Sequence, residues 1–342
     1  MGIPQHKIDD LVLSTQTKLV KRGAFVDMQT DLTEHVAVNE MWKKKVKKFQ
    51  GGLDWSFQAQ MDHNHSARTV GLYEQDASSI HDTMVEGKVG PRHVNAHYLY
   101  DLREPAFNQG PEEVYDLVET RYTGMMVSFF ELLEEILWGK PVDSSDTKTP
   151  FGLAYWLTRS ATEGFNGGDP AGFTDGRAGL STVKYPRFAN WTAKYTKVSK
   201  EDLVRKMRKA ARNIKFRSPV SHANPTVSMG NGIYTNDNVI GLLEEALEAQ
   251  NMNLGNDVAS KDGKTLFKST PVQYAPFLNE DSADPVYMLD WKWLAIGVMS
   301  GWYKNLTKPY MVPGKHNVRR VDLDASLNMI CTDPRRQCVI TK

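Results

Sequence analysis

The chain has 342 residues, 40% hydrophobic and 24% charged, with a formal net charge of +1. This length exceeds one typical domain, so two packed lobes or one elaborated domain is expected, and the composition is that of a folded chain. Near-neutral charge argues against a protein built to coat nucleic acid, and no apolar run approaches the roughly 20 residues of a membrane helix.

The start, MGIPQHKIDD, lacks a signal peptide's basic and apolar regions, so synthesis and use in a cytoplasm are expected. His6 stands where a myristoylation site would carry Ser or Thr. Residues 1–50 hold a helical stretch from Ile8 to Leu19 and end in the basic run KKKVKK, Lys43 to Lys48. No compact core pattern is visible there, which reads as an arm. Lys43, Lys44 and Lys45 are candidates for contact with nucleic acid or a neighbouring subunit, against the alternative of a solvated hinge. From 53 to 100, segments such as LDWSFQA and VNAHYLY alternate or carry β-favouring aromatics, separated by Gly, Asp and Ser turns. The pattern predicts a long β-hairpin or a pair of ribbons.

Gly110-Pro111 opens the clearest element, a helix predicted over 111–138 and stopped by Gly139-Lys140-Pro141. Met125, Phe129, Leu132, Leu133 and Ile136 are among its apolar positions, and at 1.5 Å per residue it spans roughly 40 Å. Its acidic residues, including Glu112, Glu113, Asp116, Glu119, Glu131, Glu134 and Glu135, form a candidate contact surface. Residues 143–190 are loop-rich, with a Gly-rich stretch from Gly164 to Gly179. A helix follows, with Ser199 as N-cap and Asp202 as its acidic partner. Leu203, Val204, Met207, Ala210, Ala211 and Ile214 form its apolar arc. Arg205, Lys206, Arg208, Lys209, Arg212 and Lys215 fill the other side, able to meet DNA or an acidic neighbour. Subunit contact is the preferred reading of that face. A further helix is predicted from about Asn236 to Gln250, and β-strands through Leu266-Phe267, 272–275, 286–289, 327–331 and 338–340.

Catalytic signatures fail where they begin. Asp262-Gly-Lys-Thr265 has a phosphate-loop tail, but Val258 stands where glycine is required. Gly230-Asn-Gly232 starts a dinucleotide fingerprint that Thr235 breaks. There is no GxSxG elbow or HExxH helix. His63 and His65 are the best metal candidate, being alternate residues on a strand, with His81, His93 and His97 nearby; exposed hairpin polarity is the plainer reading. Glu280, Asp281 and Asp284 lack calcium-loop spacing and read as a solvated turn. Cys331 and Cys338 fit neither a zinc knuckle nor a redox pair and read as reduced, partly buried thiols, with a disulfide as the alternative in an oxidising medium. No cofactor, metal or catalytic residue is expected.

The order of elements is arm, long hairpin, spine-length helix, Gly-rich insertion, basic helix, mixed lobe and returning strand. It resembles the Hong Kong 97-like capsid fold of tailed bacteriophages, an α+β class. Ala161-Thr-Glu-Gly-Phe-Asn-Gly-Gly-Asp-Pro-Ala-Gly-Phe173, Tyr185-Pro-Arg-Phe-Ala-Asn-Trp-Thr192 and Val198-Ser-Lys-Glu-Asp-Leu-Val-Arg-Lys-Met207 are similar to segments of phage major capsid proteins. So are Asn253-Leu-Gly-Asn-Asp-Val-Ala-Ser260, Asp284-Pro-Val-Tyr287 and Asn328-Met-Ile-Cys-Thr-Asp-Pro-Arg-Arg336. The resemblance implies an N-arm at 1–50 and an extended E-loop hairpin at 51–100 reaching over a neighbour. It implies a peripheral domain at 101–215 with spine helix 111–138, an axial domain at 216–304, and terminal strands at 305–342 returning to the peripheral domain.

It further implies a non-enzymatic major capsid protein that self-assembles into pentamers and hexamers of an icosahedral shell. The shell would be built in a host cytoplasm and enclose double-stranded DNA by non-specific contact. Expected partners are copies of itself, a separate scaffolding protein, a portal and a decoration protein, with no membrane. The E-loop offers Lys88 to the lysine–asparagine cross-link of some relatives, but cross-linking is not expected. An encapsulin-like nanocompartment shell is the rival within the fold. A metal-dependent hydrolase using His63 and His65 is the rival from another class.

Overall fold

The computed structural model describes residues 35–42, 46–64, 67–73, 82–104, 111–214, 231–251, 265–268 and 270–342, and of 111–119, 231 and 247–251 the backbone alone. The expected helix at 8–19 lies outside them.

In chain order the strands are β1 (Val46–Phe49), β2 (Trp55–Gln60), β3 (Met84–Val89), β4 (Arg92–Asp101), β5 (Trp191–Lys194), β6 (Asn231–Thr235), β7 (Leu266–Phe267) and β8 (Thr270–Tyr274). They continue as β9 (Val286–Asp290), β10 (Leu294–Met299), β11 (Asn305–Leu306), β12 (Tyr310–Met311), β13 (Val318–Cys331) and β14 (Cys338–Thr341). The helices are α1 (Pro111–Trp138), α2 (Leu153–Trp156), α3 (Leu203–Asn213) and α4 (Asp237–Asn251).

The first sheet is built on β13. One edge of that strand pairs antiparallel with β4 from Val318 to Leu327, and the other with β10, β11 and β12. Val321, Leu323, Ala325, Leu327, Met329 and Cys331 alternate into the core, the period-2 signature of a strand, while Asp322, Ser326 and Asn328 face the other way. Only the second half of this strand was legible in the sequence, because Arg319, Arg320, Asp322 and Asp324 give the first half a loop-like polarity.

The second sheet runs β5-β14-β9-β6-β8-β7. Its central strand β9 is buried throughout and sorts its side chains by parity. Val286 and Met288 join α3 and α4 in one core, whereas Tyr287 and Leu289 join the core around Trp138. Both faces of the sheet are therefore covered. The two sheets cut across the expected boundaries: β10, within 216–304, belongs to the first sheet, and β14, within 305–342, belongs to the second.

Helix α1 has 28 residues, so it extends about 42 Å. Met125, Phe129, Leu133 and Leu137 form its buried stripe, and Leu132, expected in the apolar face, is exposed. Residues 35–49 correct the reading of a coreless arm. A helical turn at Val38–Trp42 buries Met41 and Trp42, with Trp42 5.9 Å from the Phe129 ring and 4.8 Å from the Tyr303 ring. β1 then pairs parallel with β10 as an edge strand whose Lys47 and Lys48 are exposed, a common guard against further strand pairing. The lysine run had masked the apolar residues on either side of it.

Candidate assembly surfaces

Strands β2 and β3 form the expected hairpin, in register from Trp55 opposite Val89 to Gln60 opposite Met84. Its root is fixed. Trp55 is buried and stacks on Phe49 at 4.7 Å, above Gly297, where a Cβ would meet the Trp55 ring at 2.7 Å. Phe57 meets the edge of Trp156 at 6.3 Å, and the Lys88 N–H donates to the Ala178 carbonyl at 3.1 Å. The far part differs: Val70, Leu72 (93% exposed) and Tyr73 are all in solvent. β4, expected within the ribbon region, instead belongs to the first sheet. His63 is exposed near the turn, while His65 and His81 lie outside the described residues.

Helix α3 has the predicted amphipathic arrangement. Leu203, Met207, Ala210, Ala211 and Ile214 are buried; Arg205, Arg208, Lys209 and Arg212 are exposed. The expected cap is displaced: the helix begins at Leu203 with Asp202 at the N-cap, and Ser199, whose Oγ accepts the Asp202 N–H at 3.2 Å, braces the turn that leads into it. Partial burial opposes ionisation of Asp202. The Lys206 ammonium and the Thr196 and Lys197 N–H groups outweigh it and hold the carboxyl well below the usual range. Lys206 is thereby occupied within the chain, also donating to the Lys194 carbonyl, and Lys209 pairs with Glu163 at 2.7 Å. Arg205, Arg208 and Arg212 have no ion pair with a described residue, leaving them available to a partner. Lys215, and Lys43, Lys44 and Lys45, lie outside the described residues.

On α1, Glu135 is exposed and Glu131 half-buried. Glu134 corrects the sequence reading, since at 1% exposure it presents no surface. Its carboxylate accepts the Ala37 and Val38 N–H groups, both at 3.0 Å, and the Trp138 indole N–H at 2.8 Å. The charge is spent on holding residues 35–42 to the last turns of the helix. A signal existed: Phe130 and Trp138 sit four residues to either side of Glu134, flanking it with rings on one helix face.

Arg177 in the Gly-rich insertion carried no sequence signal and is fully buried. Its guanidinium donates to the carbonyls of Phe188, Gly167 and Gly168, to Asn190 Oδ1 and to Thr158 Oγ1. Burial pulls its pKa down to about 10, still protonated at neutral pH.

Among the described residues no group of three or more His, Cys, Asp or Glu side chains is placed to hold a metal ion. His93 Nδ1 lies 2.7 Å from Ser326 Oγ, a pair formed across β4 and β13. Cys331 and Cys338 are free thiols in different cores, and burial pushes both up. No described helix is long and apolar enough to cross a membrane.

No protein-family model matches the chain, and no curated protein matches it. Solved structures do. The chain is similar to the capsid asymmetric unit of cyanophage A-1(L), with a TM-score of 0.64 at 15% identity over 96% of this chain and 98% of that one. It is also similar to the capsid of Myoviridae phage XM1, with a TM-score of 0.55 at 9% identity over 95% of this chain and 97% of that one. The SrpI encapsulin complex of Synechococcus elongatus PCC 7942 matches with a TM-score of 0.52 at 9% identity over 95% and 94%. The α+β fold is the Hong Kong 97-like capsid fold.

Proposed function

We propose that this Hong Kong 97-like chain is the major capsid protein of a tailed bacteriophage, a shell subunit acting through contact surfaces rather than catalysis. The hairpin carries the reading. Its root is buried in its own protomer while Val70, Leu72 and Tyr73 stand in solvent, and apolar side chains grouped on a projection favour a surface supplied by another molecule. A second copy is the partner this fold favours, in pentamers and hexamers closing around double-stranded DNA.

In that arrangement residues 51–90 act as the E-loop and α1 as the spine of the peripheral domain. The second sheet with α4 forms the axial lobe, and α3, expected in the peripheral domain, goes with it because its buried arc shares their core. Arg205, Arg208 and Arg212, with Lys43, Lys44 and Lys45, serve as contacts to acidic neighbours or to DNA. Glu131 and Glu135 present the acidic counterpart. A scaffolding protein, a portal and a decoration protein complete the virion, assembled in the host cytoplasm. The match to an encapsulin gives a second reading, a shell that packages protein, at a lower TM-score than the cyanophage capsid.

Electron microscopy of the expressed protein tests the proposal. Closed shells or capsomers are expected, and a monodisperse monomer at high concentration would overturn it. The contents of particles from the native source separate the two shells, since double-stranded DNA selects the phage head and a protein cargo selects the compartment.

A further inference from the structure

The exposed part of the hairpin can reach a neighbour in a defined direction only if something sets the angle of its root. The strand contacts at that root are specific. Ser56 and Lys88 stand opposite each other in the β2–β3 ladder, yet the Lys88 N–H donates away from β2, to Ala178. In an antiparallel ladder this marks the pair that does not exchange hydrogen bonds, so the N–H is free to serve the body.

The accepting carbonyl belongs to a strained turn. Arg177 and Leu180 exchange hydrogen bonds at 3.1 and 2.9 Å, with Ala178 at φ +53° and Gly179 at φ +79° between them. Two left-handed central residues make a primed turn, which asparagine and glycine adopt readily and alanine does not. Ala178 is held there from both sides: its N–H donates to the Tyr155 hydroxyl at 2.8 Å, and its carbonyl receives Lys88. The preceding residue is Arg177, whose buried guanidinium ties the turn to 158, 167–168, 188 and 190. A buried cation serving mainly neutral acceptors is a costly filler, and its fork geometry is what an apolar residue would lack. Beside this turn, Gly87 lets the Phe57 ring cross β3; a Cβ there would stand 2.5 Å from the ring.

We infer that the Gly-rich insertion is a rest that sets the hairpin's angle, with Arg177 as the positioning residue and the Ala178 carbonyl as the point of contact. Its consequence for particle geometry rests on the shell reading; the rest itself does not.

Three variants test it in the unassembled protomer and then in particles. Lys88→Pro removes one N–H that the β2–β3 ladder does not use, Lys88→Ala keeps that N–H and removes the side chain, and Arg177→Met releases the turn. Hydrogen exchange over 84–89 and protease cleavage within 61–73 should rise about tenfold in Lys88→Pro and Arg177→Met, the factor that one ordinary hydrogen bond represents. Both should stay at the wild-type level in Lys88→Ala. Particles of the first two variants should be heterogeneous in size. Unchanged exchange in Lys88→Pro overturns the rest, and so does a Lys88→Ala variant that behaves like Lys88→Pro. A loosened hairpin with uniform, wild-type-sized particles overturns its role in geometry. Failure of the wild-type chain to form shells would sink the shell reading instead, with the exchange result still deciding the rest.

Discussion

Helices α1 and α3 each carry a row of like charges, and the fold treats the two rows differently. On α3 the cations lie opposite the buried arc, so the pattern of residue types maps directly onto the pattern of exposure. On α1 the carboxylates are interspersed among apolar positions, and one of them, Glu134, is taken inside while its neighbour Glu135 stays in solvent. A charged residue is therefore a reliable marker of surface only where the hydrophobic arc leaves it no buried side to turn to. Where rings flank it on the same face and unpaired backbone N–H groups arrive from another segment, burial with three donors is the better solution.

Substitution at Glu134 should break this contrast most severely. Glu134→Ala leaves the Ala37 and Val38 N–H groups and the Trp138 indole without their acceptor. Orphaned buried donors cost about 1–3 kcal/mol each, so a loss of about 3 kcal/mol or more in protomer stability is expected in denaturant unfolding. Glu134→Gln keeps one acceptor oxygen and should fall between alanine and wild type. A variant as stable as wild type would show that residues 35–42 are not held by this carboxylate.

The same contrast explains what was legible in the sequence. The limits of α1 were readable because Pro111 and Gly139 punctuate them; α3 was readable as a helix from its periodic apolar arc, although it starts at Leu203 and not directly after Ser199, and α4 was readable in its range. The hairpin was readable from aromatic alternation around Trp55 and Phe57. What stayed hidden depends on partners distant in the chain. Trp42 finds Phe129 and Tyr303, β1 finds β10, and Arg177 finds acceptors between 158 and 190. None of these leaves a local period. The polar first half of β13 is a similar case, since its strand character comes from the long pairing with β4 rather than from its own composition.

Asp202 offers a smaller and pH-dependent test on the other helix. Its carboxylate ties the start of α3 to Thr196, Lys197 and Lys206, so Asp202→Asn, which keeps one acceptor oxygen and loses the charge, should cost about 1 kcal/mol, the net scale of one hydrogen bond. The sign follows from the direction of its shift. The folded-state pKa lies below the ordinary value of 3.8, so the stabilisation is complete above that value and disappears as pH falls through the folded pKa. Acid titration of unfolding free energy should therefore fall less steeply below about pH 4 in Asp202→Asn than in wild type. Parallel curves would remove Asp202 from the account of how α3 is anchored.

The smallest effect on the protomer, and the most informative one for assembly, belongs to the exposed charges. Arg205→Gln, Arg208→Gln and Arg212→Gln remove cations that have no described ion-pair partner, so each should change protomer stability by less than about 0.5 kcal/mol. Glu131→Lys and Glu135→Lys should be equally mild, in contrast to substitution at Glu134, three residues from the first and next to the second. If α3 meets an acidic face of a neighbouring subunit, the glutamine variants should assemble in lower yield and with weaker salt dependence, while nucleic acid per particle stays constant. The lysine variants should raise nucleic acid per particle if the α1 carboxylates face the packaged DNA. Normal yield with reduced nucleic acid in the glutamine variants would reverse the assignment of α3, making its basic face the lining of the container rather than a joint between subunits.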